Sequence, residues 1–383
     1  MTGEEKPKKK KRRLIGIAGS ILSLAILTYI AIALITGRQS DLFGLFGLFS
    51  GGEPALPASE YRFDVGRRRV FADLNGSIAA AGTLGIQVFD AGGGETLRDP
   101  FRMSSPAVSA MEERAISFDV GGTAVRVFDK TNIIASVEIN GAIVSASINR
   151  NGWFAVCAQE GAALKGVVNV YNSAGKDVYR VNMASGYVLS AELSPDNKSL
   201  AILNLTGDGS RITYYDLNSE NVRRVFDLPG RLIVDIRYLT GDDVLAVATD
   251  SLLIVNKNTI SRELYAFDGR RLGSFDVDNG LVALYLLDYG VGRRGRLVSI
   301  GGDGKLLGEL ETDKELVSMS LRDGRIAVLR GDGPSLYNIA LKELPALEGS
   351  APATGATRVL ALDGGRALAA GDHSAVVYSI HNS

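Results

Sequence analysis

The chain has 383 residues, 46% hydrophobic and 22% charged, with 45 Gly but only 10 Pro; this is the composition of a folded protein rich in tight turns, and it excludes a disordered or collagen-like chain. The single cysteine, Cys157, excludes an intramolecular disulfide. Net charge is −1, yet residues 1–13 carry seven Lys/Arg against two Glu; with Arg38 that segment stands at +6, so the rest of the chain is −7, a mildly acidic body that argues against nucleic acid as its partner.

Residues 14–37, LIGIAGSILSLAILTYIAIALITG, contain no charge. As a helix they would be about 36 Å long at ~1.5 Å per residue, enough to cross a hydrocarbon core of about 30 Å. The run is longer than the apolar region of a cleaved leader, and no small-residue cleavage site follows closely, so the sequence predicts an uncleaved signal anchor. Lys8, Lys9, Lys10, Lys11, Arg12 and Arg13 abut its start and only Arg38 follows its end. That asymmetry places the tail 1–13 in the cytoplasm, with the basic side chains on the anionic membrane surface, and everything after residue 37 outside. Residues 38–59 read as a tether: LFGLFGLF over 42–49, then SGGEPALPAS.

Residues 60–383 carry no amphipathic helix pattern; they are short β-branched and aromatic runs cut by Gly, Asp and Asn. One strand-and-turn pattern recurs, with turn positions at Asp90, Asp129, Asn172, Asp216, Asn256, Gly301, Ala340 and His381, 39–45 residues apart. This is the repeat length of a propeller blade. Before each such strand lies a hairpin such as IVSASINRNGWFAVC or VLSAELSPDNKSLAIL, and after it a more polar strand such as KDVYRVNM or NVRRVFDL. Four antiparallel strands per unit make an all-β propeller, read as eight blades with seven as the alternative. The last unit lacks an outer strand, and Glu60–Val65 is a spare one, so the spare strand is expected to close the ring.

The turns SPDNK and NRNG resemble those of WD-like bacterial propellers, and SAGKDVYRV, DGRRLGSFDV and GDGKLLGEL are similar to hairpins of PQQ-like blades. With the basic tail, span and tether, the chain resembles an uncharacterised family of membrane-anchored propeller proteins from Gram-positive bacteria. That resemblance implies no catalytic residues, and the Trp-Asp pair of true WD repeats and the recurrent Trp of PQQ-type blades are absent.

Motifs for chemistry are few. Only His373 and His381 exist, too few for a histidine-based zinc site, and both sit at the ends of strands in the last unit. Residues 290–295 match G-x-G-x-x-G, but a strand pattern follows instead of a helix, so no nucleotide site is read there. Cys157 lies in the apolar run WFAVC and reads as an inert buried thiol. No catalytic residue, cofactor or metal is assigned. Arg223, Arg224, Arg270, Arg271, Arg293 and Arg294 are candidate contacts to an anionic ligand or acidic partner, against scattered solubility charge; Arg67-Arg68-Arg69 is a further basic run.

The sequence therefore predicts a single-pass membrane protein whose extracytoplasmic propeller acts as an interaction or scaffold module for another envelope protein. The alternatives are a protein that binds or processes cell-wall glycan through channel carboxylates, and a sensing ectodomain working through a partner. Oligomeric state is not legible. A reporter enzyme fused after Ser383 is expected to be active only outside the membrane; activity confined to the cytoplasm would reverse the topology.

Overall fold

The structure, a computed structural model, describes residues 60–380 except 162–163, 220, 259–260, 290–293 and 350–354. The predicted tail, span and tether, and also Arg293 and His381, lie outside the described residues. The described residues form eight antiparallel sheets taken in chain order, covering 70–99, 106–138, 142–183, 187–229, 233–266, 271–312, 318–338 and 358–380. These are blades 1 to 8 of a β-propeller. Within a blade, strands a to d run from the axis outward. The a strands of blades 1 to 5 lie side by side in succession, as do those of blades 6 to 8, and that of blade 8 lies against that of blade 1.

Burial explains the sequence pattern. Strands b and c are sandwiched between neighbouring blades, so both their faces are covered and they read as continuous apolar runs. Ser77–Gly82 and Gly166–Tyr171 are buried at every position. The d strands form the rim and alternate, as in Asp177–Met183, where Val181 and Met183 point inward. Cys157 is fully buried in strand b of blade 3, and burial pushes its thiol up to about 12, in keeping with an inert side chain.

The recurring turn joins strands c and d. In blade 1 Asp90 accepts from the amides of Gly92 and Gly94, and in blade 3 Asn172 accepts from those of Ala174 and Lys176. In blade 6 Gly301 keeps the backbone bonds of this turn while Asp303 supplies the carboxylate, accepting from Lys305 N. Blade 7 corrects the expected register. The turn residue there is Asn338, not Ala340: Asn338 accepts from Ala340 N and Lys342 N, and its own amide bonds Lys342 O. The place held by Gly93, Gly175 and Gly304 is taken by Leu341 at φ 55°, a conformation that costs a side-chain-bearing residue energy and hides the repeat from a reader of glycines. A second correction concerns DGRRLGSFDV. It forms no outer hairpin; Arg271–Asp278 is the innermost strand of blade 6.

Blade 7 has three strands rather than four. After its turn the chain makes one bridge, Tyr337 to Glu343, and then meets Pro345. Proline cannot donate to the ladder, so the outer strand stops there. The chain instead runs on to Leu347–Gly349, which pairs with residues 378–380 of strand c in blade 8. The other half of that strand pairs with Glu60–Arg62, Tyr61 opposite Ala375. Ring closure by the N-terminal strand is therefore as expected, but the strand covers 60–62 rather than 60–65, and the outer position is shared between two segments.

Beyond Arg62 the chain threads the seam between blades 8 and 1. Tyr61, Phe63 and Val65 are buried there among Ile78, Ala80 and Phe89 of blade 1 and Leu362, Leu368 and Val377 of blade 8. Gly82 permits the passage, since a Cβ on it would lie 2.3 Å from the carbonyl oxygen of Val65. Tyr61 also packs edge-on against Phe89 with centroids 5.9 Å apart, and its hydroxyl donates to Ala91 O. Truncation of Tyr61 to Ala is expected to cost about 3–5 kcal/mol, the range for a buried large aromatic, by chemical denaturation. Tyr289→Ala, at a tyrosine 78% exposed, is the control and should cost under about 0.5 kcal/mol.

Candidate functional site

The strand order gives the two ends of the propeller different parts. The a–b and c–d turns share one end, here the turn face. The b–c turns and the links between blades share the other, the linker face. Strand a runs from the linker face to the turn face, so its first residues rim one mouth of the axial channel and its last residues rim the other.

At the turn-face mouth the last residues of strand a are charged. Arg237 of blade 5 donates to Glu192 of blade 4 at 2.5 Å and lies 3.0 Å from Asp235. Asp276 of blade 6 accepts from Val277 N and, across the seam, from Leu321 N of blade 7. Two residues on, Asp278 accepts from Asp323 N. Arg322 completes the rim: its Nε lies 3.5 Å from Asp73 of blade 1, 3.6 Å from Asp363 of blade 8 and 3.7 Å from Asp323. The equivalent bonds between blades 3 and 4 are neutral, from Ser145 and Ser147 to the carbonyls of Leu189 and Ala191.

Three of these carboxyls are held above the ordinary carboxylate range. Desolvation outweighs Arg237 and raises Glu192 to about 7, and desolvation raises Asp276 to about 6 against two backbone amides. Asp323 is raised to about 6, first by the neighbouring Asp363 carboxyl and then by burial. Beside them a cavity of about 320 Å³ opens, walled by Met111, Ile148, Leu193 and Val277 with Arg150 and Arg237 at its polar side. Arg237 keeps 43% of its side chain exposed toward it. Tyr238 also lines it, and its hydroxyl is buried without a hydrogen-bond partner. Among the described residues no group of three or more His, Cys, Asp or Glu is disposed to hold a metal ion.

The linker face is different. Thirteen large apolar side chains are exposed among the described residues, and eight of them sit on this face. Val144, Tyr187, Leu232, Val234 and Val317 lie at or just before the start of strand a in blades 3, 4, 5 and 7. Leu84, Val120 and Tyr289 lie in b–c turns. Single exposed apolar residues are ordinary on a protein surface; a concentration at one end is informative.

The predicted arginine contacts do not converge. Arg223 and Arg224 sit near the turn-face end of the rim strand of blade 4, where Arg223 donates to the side chain of Asn258 and Arg224 lies over the Phe226 ring. Arg270, Arg271 and Arg294 belong to the linker face of blade 6, and Arg270 is held by Asp288 at 2.9 Å. The two groups therefore occupy opposite ends of the molecule, and Arg270 is already neutralised. His373 is exposed in the b–c turn of blade 8. The sequence reading missed Glu192, Asp235, Arg237, Asp276 and Arg322. Their signal was present: a charged residue in each strand, one to four positions before the turn, where an apolar one would otherwise be placed.

The raised carboxyls fix a pH dependence. A carboxyl whose folded pKa lies above its unfolded value favours the folded state at low pH. That contribution is complete below the unfolded value and is lost as pH rises through the folded one. For Glu192 the window runs from 4.5 to about 7, and for Asp276 from 3.8 to about 6. Stability of the wild-type protein should fall across this window, and Glu192→Gln should flatten the fall between pH 5 and pH 7.5 in denaturation midpoints. Parallel curves for the two proteins would remove Glu192 as the cause.

Comparison with known proteins gives a family and a likeness to a solved structure. The β-propeller domain of Cps50 (Swd1) from Myceliophteria thermophila is similar at 10% identity and a TM-score of 0.48, covering 85% of this chain and 100% of that one. No curated protein matches the chain. A family model described as "Family of unknown function (DUF5711)" matches residues 58–343, from the closing strand through the turn of blade 7. That match spans most of the propeller, and the chain belongs to this family of unknown function.

Proposed function

We propose that the protein is a membrane-anchored interaction module, with the helix of residues 14–37 holding the propeller outside the membrane beside another envelope protein, which docks on the linker face. The observation that carries the docking reading is the gathering of eight of the thirteen exposed large apolar side chains at that end. Tyr187 and Val234 sit on adjacent blades at the channel mouth, 53% and 43% exposed, on rigid strand a. Rigid, half-exposed aromatic and aliphatic groups are the usual anchors of a protein interface, because little side-chain entropy is lost when they are covered. The uncharged run 14–37 and its basic flank support the anchor and the outward placement.

A second reading, binding or processing of glycan, draws on the turn-face mouth. Glu192 titrating near 7 is able to exchange a proton at neutral pH, and Asp323 and Asp363 form a carboxyl pair. It is the weaker reading because these carboxyls, Glu192 and Asp278 at the cavity among them, are already engaged by Arg237, Arg322 and backbone amides.

The test is crosslinking and affinity capture from native membranes. A partner recovered with the wild-type protein should be lost with Tyr187→Ser/Val234→Ser and retained with Lys305→Ser, a change in a turn-face loop. Equal recovery with all three, or no reproducible partner at all, would count against the interaction module.

A further inference from the structure

The turn-face cavity has a side chain across it. Arg150 belongs to the a–b turn of blade 3, and its Nη2 donates to Asn279 Oδ1 in the a–b turn of blade 6 at 3.1 Å. Both residues line the cavity of about 320 Å³, and the wall between them includes Leu193 and Pro195 of blade 4 and Arg237 and Leu239 of blade 5. Bonds such as Asn151 Nδ2 to Pro195 O and Asp323 N to Asp278 join neighbouring blades; this one passes over two. We propose that Arg150 is a strap over the turn-face cavity, closed when it bonds Asn279 and open when it swings back toward blade 2.

The two turns that carry the strap are fixed. In blade 3, Asn149 Oδ1 accepts from Asn151 N and Trp153 N, and its Nδ2 donates to Ser194 O at 3.0 Å. In blade 6, Asn279 and Gly280 make a two-residue hairpin at φ 47° and φ 77°, the conformation such a turn requires. Asp278 beside it accepts from Asn279 Nδ2 and, across the seam, from Asp323 N. The part with freedom is the arginine side chain itself, 60% exposed.

Arg150 also has a second partner on the near side. Its Nε lies 3.3 Å from Glu112 of blade 2, a carboxylate 42% exposed. An exposed ion pair of this kind holds little energy by itself, so it tethers the guanidinium without locking it. When the bond to Asn279 breaks, Glu112 keeps the charge paired and the cavity is uncovered. The wall that a closed strap shields is largely aliphatic, with Ile148, Leu193, Leu239 and Val277, and the stem of an arginine covers such a surface while its head stays in water. The strap lies on the turn face, so its fate and that of the docking reading, which concerns the linker face, are independent.

The test is the rate at which Val277→Cys, in the cavity wall, is labelled by the neutral reagent methyl methanethiosulfonate in the full-length protein. The native thiol, Cys157, is buried and pushed up to about 12, so it does not compete. Adding Arg150→Ala should speed labelling about tenfold, the factor for loss of one charge-assisted hydrogen bond. Asn279→Gly removes the acceptor and suits the φ of that turn, and it should have the same effect. The two changes together should label no faster than either alone, because both break one bond. Lys305→Cys, in a turn-face loop outside the cavity wall, should label equally in every background, and unchanged denaturation midpoints check folding. An unchanged rate at Val277→Cys in both variants would overturn the strap. So would an effect confined to charged reagents that reverses with their sign, since it would report the charge of Arg150 and not its cover.

Discussion

No blade of this protein is able to bury its own faces. A four-stranded sheet has two apolar sides, and strands b and c are covered only because a neighbouring blade lies on each. The core is thus a series of slabs between blades, such as the Val168, Leu200, Ile202 layer between blades 3 and 4 and the Leu245, Leu284, Val298 layer between blades 5 and 6. Every slab needs two blades, so the ring has to close. Closure falls to the seam of blades 8 and 1, where Tyr61, Phe63 and Val65 fill the space that an open ring would expose to water. The shared outer strand of blade 8 follows from the same need. Pro345 ends the rim of blade 7 early, and the chain so released covers the part of the last strand that Glu60–Arg62 leaves bare.

The channel wall obeys a different constraint. Near the axis the a strands crowd together, and their last residues exchange hydrogen bonds from blade to blade. Hydroxyls do this between blades 3 and 4 and carboxylates between blades 4 and 5 and between blades 6 and 7, while Arg322 of blade 7 pairs by charge with Asp73 of blade 1 and Asp363 of blade 8. Carboxylates accept backbone amides strongly, but burial disfavours their charge, and the outcome is a set of groups displaced upward toward neutrality. The turn-face mouth is therefore structural stitching with a titratable character. At the linker-face mouth of blades 3, 4 and 5 the side chains of Val144, Tyr187 and Val234 are instead apolar and partly exposed, with backbone and hydroxyl bonds beside them. Two ends of one channel, built from the same strands, thus have opposite chemistry.

The repeat was legible from residues 60 to 338 because its turns need particular side chains. Asp and Asn accept the amides of the c–d turn, and Gly supplies the left-handed position after them, so the period is written in residue types. It blurred where Leu341 stands in a glycine's place and where Pro345 cut a rim strand, because there local chemistry departs from the repeat while packing maintains it. The apolar runs of strands b and c, the alternation of strand d and the spare N-terminal strand all follow from one rule, burial between neighbours, which acts position by position along the chain.

What the sequence by itself determined is thus the architecture, the eightfold count within its stated alternative, the inert burial of Cys157 and the place of the closing strand, since each depends on local turn chemistry or on periodic burial. The tertiary structure alone decided which charges meet. Arg322 reaches Asp73 across 249 positions, and Arg223 and Arg270, 47 apart, end on opposite faces. A strand pattern specifies which side of a sheet a residue occupies and nothing of its neighbours around the ring. Those neighbours are set by closure, a property of the whole circle of blades that no window of sequence contains.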